Sequence, residues 1–340
     1  MPVLAIFTFR QEFEAPWAGL PNVTMLSLGR LDQSRAQTMV EQVAGGRRLP
    51  TEVIGQIIAK TDGIPLFVEE LTKAVMESGI LVEDAEDYRL DGPLPPLAIP
   101  ATLHDSLMAR LDRLAPIKEI AQVGAAIGRE FSYALLHAVT GRNEASLNSA
   151  LLRLEDAELL FRTRAPPDVR YSFKHALVQD AAYESLLKSR RQVLHRRIAD
   201  ALRERFTTIA ENEPEIVAHH FTQSGLAEAA VEWWEKAAER AMHGSAFNEA
   251  IAHLEKARGL AEELSESPTR RLLRARLQTT YGYALMHSRG QSVPETMVAF
   301  AKATEIAGGI DDIAVRLSAY KLNARSTTWR LTSDLNRKDH

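Results

Sequence analysis

The second half of the sequence most constrains how this chain can fold, because its apolar residues recur at helical spacing from residue 175 to residue 307. This spacing gives each helix one apolar face, which neighbouring helices have to cover. The connections between these segments are short, so we expect a helical solenoid. The pattern predicts helices over 175–206, 213–224, 227–243, 247–264, 268–288 and 293–307.

Two stretches of this half fit the 34-residue tetratricopeptide pattern of alternating small and large residues. Small residues let paired helices approach closely, and large residues fill the space between them. The packing positions of the first stretch hold Trp234, Ala238, Ala250, Leu254 and Ala257. Those of the second, weaker stretch hold Gly282, Phe300 and Ala303.

Residues 130–187 carry a different pattern. A short helix over Tyr133–Val139 and an amphipathic helix around residues 147–154 precede two segments that alternate polar and apolar residues. The turn Pro166-Pro167-Asp168 separates these two segments, which predicts a β-hairpin. Helix, helix and hairpin in this order are the make-up of a winged-helix domain.

Residues 3–9 form a continuous apolar run, VLAIFTF, that is typical of a strand buried on both faces of a parallel sheet. No comparable strand follows nearby, and a fully buried strand needs partners along its edges. We therefore expect that the chain begins partway through a domain and that residues 1–30 are poorly held.

Residues 31–79 predict three helices. Asp32 or Ser34 can cap the first, Pro50-Thr51 opens the second, and Pro65 suits the first turn of the third. Residues 80–100 are acidic and then proline-rich, which favours a linker or a surface excursion.

Composition excludes several classes of function. The length of 340 residues indicates two or three domains, and the net charge of −4 gives the whole molecule no attraction to nucleic acid or anionic lipid. The absence of cysteine excludes disulfides, thiolate catalysis and cysteine-ligated zinc. No run reaches the ~20 apolar residues of a membrane span, and no basic region precedes the first apolar run. We expect a cytoplasmic protein without a membrane partner.

The common catalytic and metal-binding motifs are missing from the sequence, including the phosphate-binding loop G-x-x-x-x-G-K-[ST]. His219 and His220 are adjacent, so they should point to different faces of a helix and make a poor metal pair. Four other histidines stand singly on predicted helices, and for each we expect a solvated or packing role. These four are His104, His137, His195 and His253. We therefore predict no catalytic residue and no metal ligand.

Four stretches resemble the STAND-type NTPases, the AAA+-related signal-transduction ATPases that combine a winged helix with helical repeats. The stretches are LAIFTFR at 4–10, TDGIPLFVEEL at 61–71, FKHALVQDAAY at 173–183, and residues 229–257. The chain looks most similar to bacterial predicted ATPases that are often fused to class III adenylate or guanylate cyclase domains or to transcription-factor output domains.

The resemblance implies four residual nucleotide-binding residues. Arg10 would sense the terminal phosphate from the end of the sensor strand, and Gly63 and Pro65 would form the G-x-P turn in which proline lies against the adenine. His175 would reach the nucleotide phosphate from the winged helix. Each has a plainer alternative: Arg10 could cap a strand end, Gly63 and Pro65 could form an ordinary helix-start turn, and His175 could be hydrogen-bonded at a helix start.

The sequence departs from this family by lacking the Walker A loop and the Walker B acids, which lie upstream in family members. Without the N–H cradle and the Mg²⁺ ligands, phosphate binding loses most of its donors. ATP or ADP with Mg²⁺ is the cofactor of the parent family, and we expect this chain to bind none stably and to catalyse no hydrolysis alone.

The predicted fold class is therefore mainly α, with a remnant of an α/β NTPase domain, a helical lid, a winged-helix domain and a TPR-like α-solenoid. The predicted layout is an NTPase remnant at 1–30, a lid at 31–80, a linker at 81–100, a winged helix at 101–206, helical repeats at 207–325 and a tail at 326–340.

The leading functional hypothesis is the regulatory part of a STAND-type ATPase, which binds a protein or small-molecule ligand on its repeats and works with a fused or upstream NTPase or cyclase domain. A helical interaction scaffold, indifferent to ATP and ADP, is one alternative. A DNA-binding winged-helix regulator is another, disfavoured by acidic residues where a recognition helix would end. Its basic residues would be Lys188, Arg190, Arg191, Arg196 and Arg197.

Overall fold

A computed structural model of the protein describes residues 3–9, 12–84, 87–90, 99–164, 168–291 and 293–308. These residues contain fifteen helices and five short strands, so the described part of the protein is mainly helical. The chain divides into two compact units, Met1–Arg110 and Leu111–His340.

The first unit contains the three helices that the sequence predicts. They are α1 (Gln33–Val43), α2 (Thr51–Thr61) and α3 (Pro65–Met76). The Asp32 side chain caps α1 by accepting a hydrogen bond from the backbone N–H of Arg35 at 2.9 Å. Pro65 is the first residue of α3, where its missing N–H costs no hydrogen bond. The helices share one apolar core, which includes Val40, Val53, Ile57, Val68, Leu71 and Val75.

Residues 81–84 and 87–90 differ from the predicted linker, because they contain two strands that pair with each other. Strands β1 (Leu81–Glu83) and β2 (Tyr88–Leu90) pair antiparallel. Leu81 and Tyr88 are buried in the core of the first unit, while the acidic side chains point outward to arginines. The ion pairs Arg47–Glu83 at 3.1 Å and Arg89–Asp84 at 2.5 Å show why an acidic stretch is compatible with ordered structure here. The proline-rich part, residues 91–98, lies outside the described residues.

The strand predicted over residues 3–9 is wrong, since these residues adopt no regular secondary structure. Val3, Leu4 and Ile6 are 80% or more exposed, instead of buried on both faces. An apolar run becomes a strand only where neighbouring strands supply hydrogen bonds, and no strand of the described residues pairs with this one.

Helix α4 (Leu103–Arg113) contains the boundary between the two units. After it, the second unit continues as a small sheet with helices around it. The elements are α5 (Ala115–Ile127), β3 (Glu130–Ser132), α6 (Tyr133–Thr140), α7 (Glu144–Asp156), β4 (Leu160–Arg164) and β5 (Arg170–Phe173). The sheet is antiparallel with strand order β3-β5-β4, and its hairpin β4–β5 lies where the alternating pattern predicts one.

The aromatic side chains Phe131, Tyr171 and Phe173 form the core of this sheet. Phe131 presses so closely on α5 that a Cβ at Gly124 would lie 2.7 Å from its ring, which explains the glycine in this helix. The sequence analysis did not predict β3, because a three-residue strand is too short to show an alternating pattern.

The rest of the second unit is helical, as predicted. Its helices are α8 (Ala176–Glu184), α9 (Lys188–Arg205), α10 (Thr207–Asn212), α11 (Pro214–Ser224), α12 (Ala227–His243), α13 (Phe247–Glu263), α14 (Pro268–Arg289) and α15 (Pro294–Ala307). From α11 to α15 each helix packs on the next one, with short connections, which produces a helical array. None of the helices in the described part of the chain is long and apolar enough to cross a membrane.

The single helix predicted over 175–206 is in fact two helices, α8 and α9. The side chain of Arg191 explains the break, since it donates hydrogen bonds to the backbone carbonyls of Glu184 at 2.8 Å and Leu186 at 2.9 Å. These carbonyls belong to the end of α8, where intrahelical partners are missing.

The packing positions of both tetratricopeptide-like stretches are buried. Trp234, Ala238, Ala250, Leu254 and Ala257 lie in the contacts of α12 and α13. In the second stretch the ring of Phe300 fills the space over Gly282, where a Cβ would lie 2.7 Å from a ring atom. The alternation of small and large residues in the sequence therefore corresponds to real interhelical packing.

Candidate functional site

The turn Gly63-Ile64-Pro65 joins α2 to α3 and lies against an earlier part of its own chain. The Gly63 carbonyl accepts a hydrogen bond from the backbone N–H of Leu31 at 2.7 Å, and Gly63 has φ of +69°. A Cβ at this position would collide with the Leu31 carbonyl oxygen. Close backbone approach therefore requires glycine here, and the start of α3 accounts for the proline.

His175 immediately precedes α8 and has extended backbone geometry, with φ of −135° and ψ of 147°. Its carbonyl accepts a hydrogen bond from the N–H of Val178 at 3.0 Å. Gly63 and Pro65 thus share one turn of the first unit, while His175 belongs to the second. Arg10 lies outside the described residues. The nucleotide-binding roles of all four residues stay predictions.

Most of the basic side chains of α9 are bound within the protein. Arg190 forms an ion pair with Glu119 at 2.7 Å, and Arg196 lies 3.7 Å from Asp200. Arg191 stacks its guanidinium on the ring of Tyr183, with 4.6 Å to the ring centroid. This surface offers phosphates less positive charge than the sequence indicates.

The structure brings His195, which the sequence analysis described as single, together with His220 of the adjacent pair. Nδ1 of His195 on α9 lies 2.8 Å from Nδ1 of His220 on α11, and Nε2 of His195 lies 2.9 Å from the hydroxyl of Tyr183 on α8. We call these three side chains the histidine network. His219 is exposed whereas His220 is buried, but the ring centroid of His219 lies only 5.4 Å from that of His220 and 6.0 Å from that of His195.

The histidine network is buried, and its pKa values reflect that position. Burial lowers the pKa of His195 to about 4 and that of His220 to about 3, with smaller contributions from neighbouring positive charge. Both imidazoles are therefore neutral at pH 7. One Nδ1 carries the proton and donates a hydrogen bond to the other, so both buried Nδ1 atoms have a partner.

A groove of about 880 Å³ lies among α10, α11, α12 and α13. Small side chains at Ala210, Ala237 and Ala241 form its buried floor, and these residues leave the space between the helices open. Trp233 contributes an aromatic face to the wall. A concave surface of this volume has the size of a ligand-binding pocket, and we call it the α12–α13 groove.

The two basic side chains of the α12–α13 groove already have partners. Lys236 binds Glu232 at 2.7 Å and lies over the Trp233 ring, 4.2 Å from its centroid. Arg240 donates to the Glu211 carbonyl at 3.3 Å and to the Asn212 side chain at 3.2 Å. Positive charge in the groove is therefore engaged by the protein itself.

His253 is the buried polar residue of the α12–α13 groove. It is 8% exposed and stacks on Trp234, with 5.3 Å between ring centroids. Its Nε2 lies 3.6 Å from a carboxylate oxygen of Glu249, and its Nδ1 is buried without a hydrogen-bond partner among the described residues. Burial lowers the pKa of His253, and the nearby carboxylates of Glu249 and Glu215 oppose that shift. The four-residue spacing of Glu249 and His253 on α13 predicts their proximity, but the Nδ1 without a partner is a property of the packed structure.

Comparison with known proteins gives similarities but no family assignment. No known protein family has a sequence model that matches this chain. An uncharacterized protein of Rhizobium meliloti (strain 1021) is 29% identical over 311 residues, which cover 90% of this chain. The chain spans 30% of the length of that relative.

Among solved structures, the chain is similar to a Signal Transduction ATPase with Numerous Domains, a STAND protein with a tetratricopeptide repeat sensor, from Pyrococcus horikoshii. Sequence identity is 12%, and the alignment covers 87% of this chain and 44% of that protein. The TM-score is 0.34, which is too low to establish a common fold.

Proposed function

We propose that this chain is the regulatory, partner-binding part of a STAND-type signalling ATPase, and that its helical array binds a segment of a partner protein in the α12–α13 groove. The groove is the observation that carries this proposal. Its volume of about 880 Å³, its floor of small side chains and its aromatic wall at Trp233 suit an inserted peptide. Stacked helical repeats commonly bind partners on such extended surfaces.

In this proposal the nucleotide belongs to a larger assembly. A phosphate-binding loop outside this sequence would hold ATP or ADP with Mg²⁺, and Arg10, Pro65 and His175 would add contacts from this chain. The Gly63 turn would contribute rigid backbone, since the Leu31 contact already fixes it. Partner binding to the array would then shift the balance between nucleotide states through its different affinity for each state.

The test of partner binding is a selection of random peptides, displayed on phage, against the immobilised full chain. We expect selected peptides, once synthesised, to bind in solution and to lose most of their affinity when Trp233→Ala removes the aromatic wall. Tyr283→Ala is the matched control, because Tyr283 is an exposed aromatic residue of α14 outside the groove. Equal losses in both variants, or no selected peptide, would contradict the proposal.

The test of nucleotide coupling is calorimetry with ADP and ATP on this chain and on a protein extended to include an upstream phosphate-binding loop. We expect binding only in the extended protein, with peptide affinity that changes between the ADP and ATP forms. Peptide binding that is indifferent to nucleotide in the extended protein would instead favour the helical interaction scaffold.

A further inference from the structure

The α12–α13 groove is lined by more acidic than basic side chains. Glu211, Glu215, Glu239 and Glu249 all line it. Among the described residues none of these four carboxylates forms an ion pair with lysine or arginine. The two cations of the groove are already held by other partners, as described above. An unpaired carboxylate in a concave surface attracts positive charge more strongly than one on an open surface.

His253 adds to this acidic groove a buried nitrogen atom that lacks a hydrogen-bond partner among the described residues. Unpaired buried polar atoms are rare in native proteins, so the Nδ1 of His253 needs an explanation. When the Nε2–H faces Glu249, whose carboxylate is 3.6 Å away, Nδ1 has a lone pair and can only accept a hydrogen bond. The missing partner is then a hydrogen-bond donor, and an N–H of a bound segment is such a donor.

The His253 ring lines the groove with its Nε2 toward Glu249, which leaves Nδ1 as the ring nitrogen without a partner among the described residues. The Glu249 side chain is 59% exposed, so it can turn toward a ligand. Trp233 also lines the groove, and its ring already lies under an ammonium group, that of Lys236 at 4.2 Å from the ring centroid. Carboxylates, an aromatic face and a buried acceptor together are complementary to a nitrogen-based cation.

We propose that the α12–α13 groove takes a partner segment that carries a lysine or arginine side chain, held by the carboxylates of Glu215 and Glu249 while an N–H of the segment donates to Nδ1 of His253. This inference rests on the proposed function, because it specifies the chemistry of the peptide that the groove binds. The apolar part of the side chain lies over the alanine floor, and the cation stays at the rim.

The experiment uses the peptides selected from the random phage library, with binding measured by fluorescence polarisation on the full chain. We expect the selected sequences to be enriched in lysine and arginine. We expect Glu215→Gln with Glu249→Gln to weaken binding about tenfold or more, as for close charge pairs in interfaces. Raising the salt concentration should weaken binding to the unaltered chain more than to this double variant.

Glu263→Gln is the matched control for Glu249→Gln. Both residues belong to α13 and both changes remove one negative charge, but Glu263 lies at the opposite end of the helix from the groove. We expect its effect on affinity to be less than about twofold. His253→Phe keeps an aromatic ring on Trp234 and removes the acceptor, so it should also weaken binding.

The outcomes separate this inference from the proposed function. One outcome is acidic or apolar peptides that lose affinity in Trp233→Ala but bind equally well when Glu215 and Glu249 are changed. It would overturn the cationic chemistry and leave the groove as a binding site. Basic peptides that lose affinity equally in Glu263→Gln would reveal general charge attraction, which overturns the inference. Peptides that bind equally well to every groove variant would overturn both proposals.

Discussion

Two groups of buried histidines lie in the helical part of the second unit, and they differ in one respect. In the histidine network, His195 binds His220 through Nδ1 and Tyr183 through Nε2, so each buried Nδ1 has a partner. In the α12–α13 groove, His253 is also buried, but its Nδ1 has no partner among the described residues. The first group is complete within the chain, and the second is not.

This difference teaches how to separate structural polar groups from functional ones. Burial alone does not distinguish them, since it lowers the pKa of all three histidines. Hydrogen-bond satisfaction does distinguish structural from functional polar groups. A complete network stabilises the native packing, whereas a buried group without a partner can bind a ligand. The following predictions test that distinction, and they start with the largest expected effect.

Acid should destabilise the histidine network more than any single substitution does. His195 and His220 have folded-state pKa values of about 4 and about 3, below the ordinary 6.5 of the unfolded chain. Between pH 6.5 and these lower values the unfolded state binds more protons than the folded state. The contribution of the two histidines to the free energy of unfolding is therefore fully present above pH 6.5 and falls as the pH decreases toward 4. We expect a loss on the order of 3 kcal/mol between neutral pH and about pH 5.

Urea unfolding at several pH values measures this loss. The variant His195→Gln with His220→Gln lacks both titrating groups and should show a flatter dependence on pH, which separates the histidines from the carboxylates. If that variant does not fold, an NMR titration of the two imidazoles in the unaltered chain provides the measurement. Imidazoles that titrate near 6.5 would contradict the prediction.

Breaking the network at its centre should cost about 2–3 kcal/mol. His195→Leu removes the group that joins the other two members, so Nδ1 of His220 and the hydroxyl of Tyr183 both lose their partners in the protein interior. The midpoint of urea unfolding at pH 7 measures this cost. His104→Leu is the control, because His104 lies in another part of the chain. A loss no larger than in the control would show that the network contributes little to stability.

Much of the fold could be predicted from the sequence, because helical periodicity depends only on residues close together in the chain. The bounds of α12 agree with the prediction, and those of α13, α14 and α15 agree within one residue. The break between α8 and α9 could not be predicted, since Arg191 produces it by binding carbonyls of the preceding turn. The strand over residues 3–9 was predicted from a continuous apolar run, and no strand of the described residues pairs with it.

The candidate site could be predicted less well, because its residues meet only after the helices pack. His195 and His220 are 25 residues apart, and nothing in their spacing indicates contact. His253 and Glu249 are four residues apart on one helix, which does predict proximity, but the missing partner of Nδ1 is a property of the packed structure. The Gly63 turn was noticed through a family resemblance, and the structure adds a local reason for its glycine.

Removing one end of the histidine network should have a smaller effect than removing its centre. Tyr183→Phe deletes the hydroxyl and keeps the ring under the guanidinium of Arg191. Only Nε2 of His195 loses a partner, so we expect a loss of about 1 kcal/mol in the free energy of unfolding. Urea unfolding measures it, with Tyr283→Phe as the control for loss of an exposed hydroxyl. A loss as large as in His195→Leu would contradict this ranking, because it would mean that the Tyr183 hydroxyl alone accounts for the contribution of the whole network.

The smallest effect on stability is expected where the polar group is incomplete. His253→Leu removes an Nδ1 that makes no hydrogen bond among the described residues, and the Glu249 carboxylate that loses its contact with Nε2 is 59% exposed and stays solvated. Lost stacking on Trp234 and relieved desolvation oppose each other, and we expect a change within about 0.5 kcal/mol in urea unfolding. The same variant should lose peptide affinity, since the acceptor is then missing from the groove. A large loss of stability would instead show that His253 is a structural group, like the histidines of the network. An apolar side chain of similar size destabilises the protein strongly only where the fold requires the polar group that it replaces.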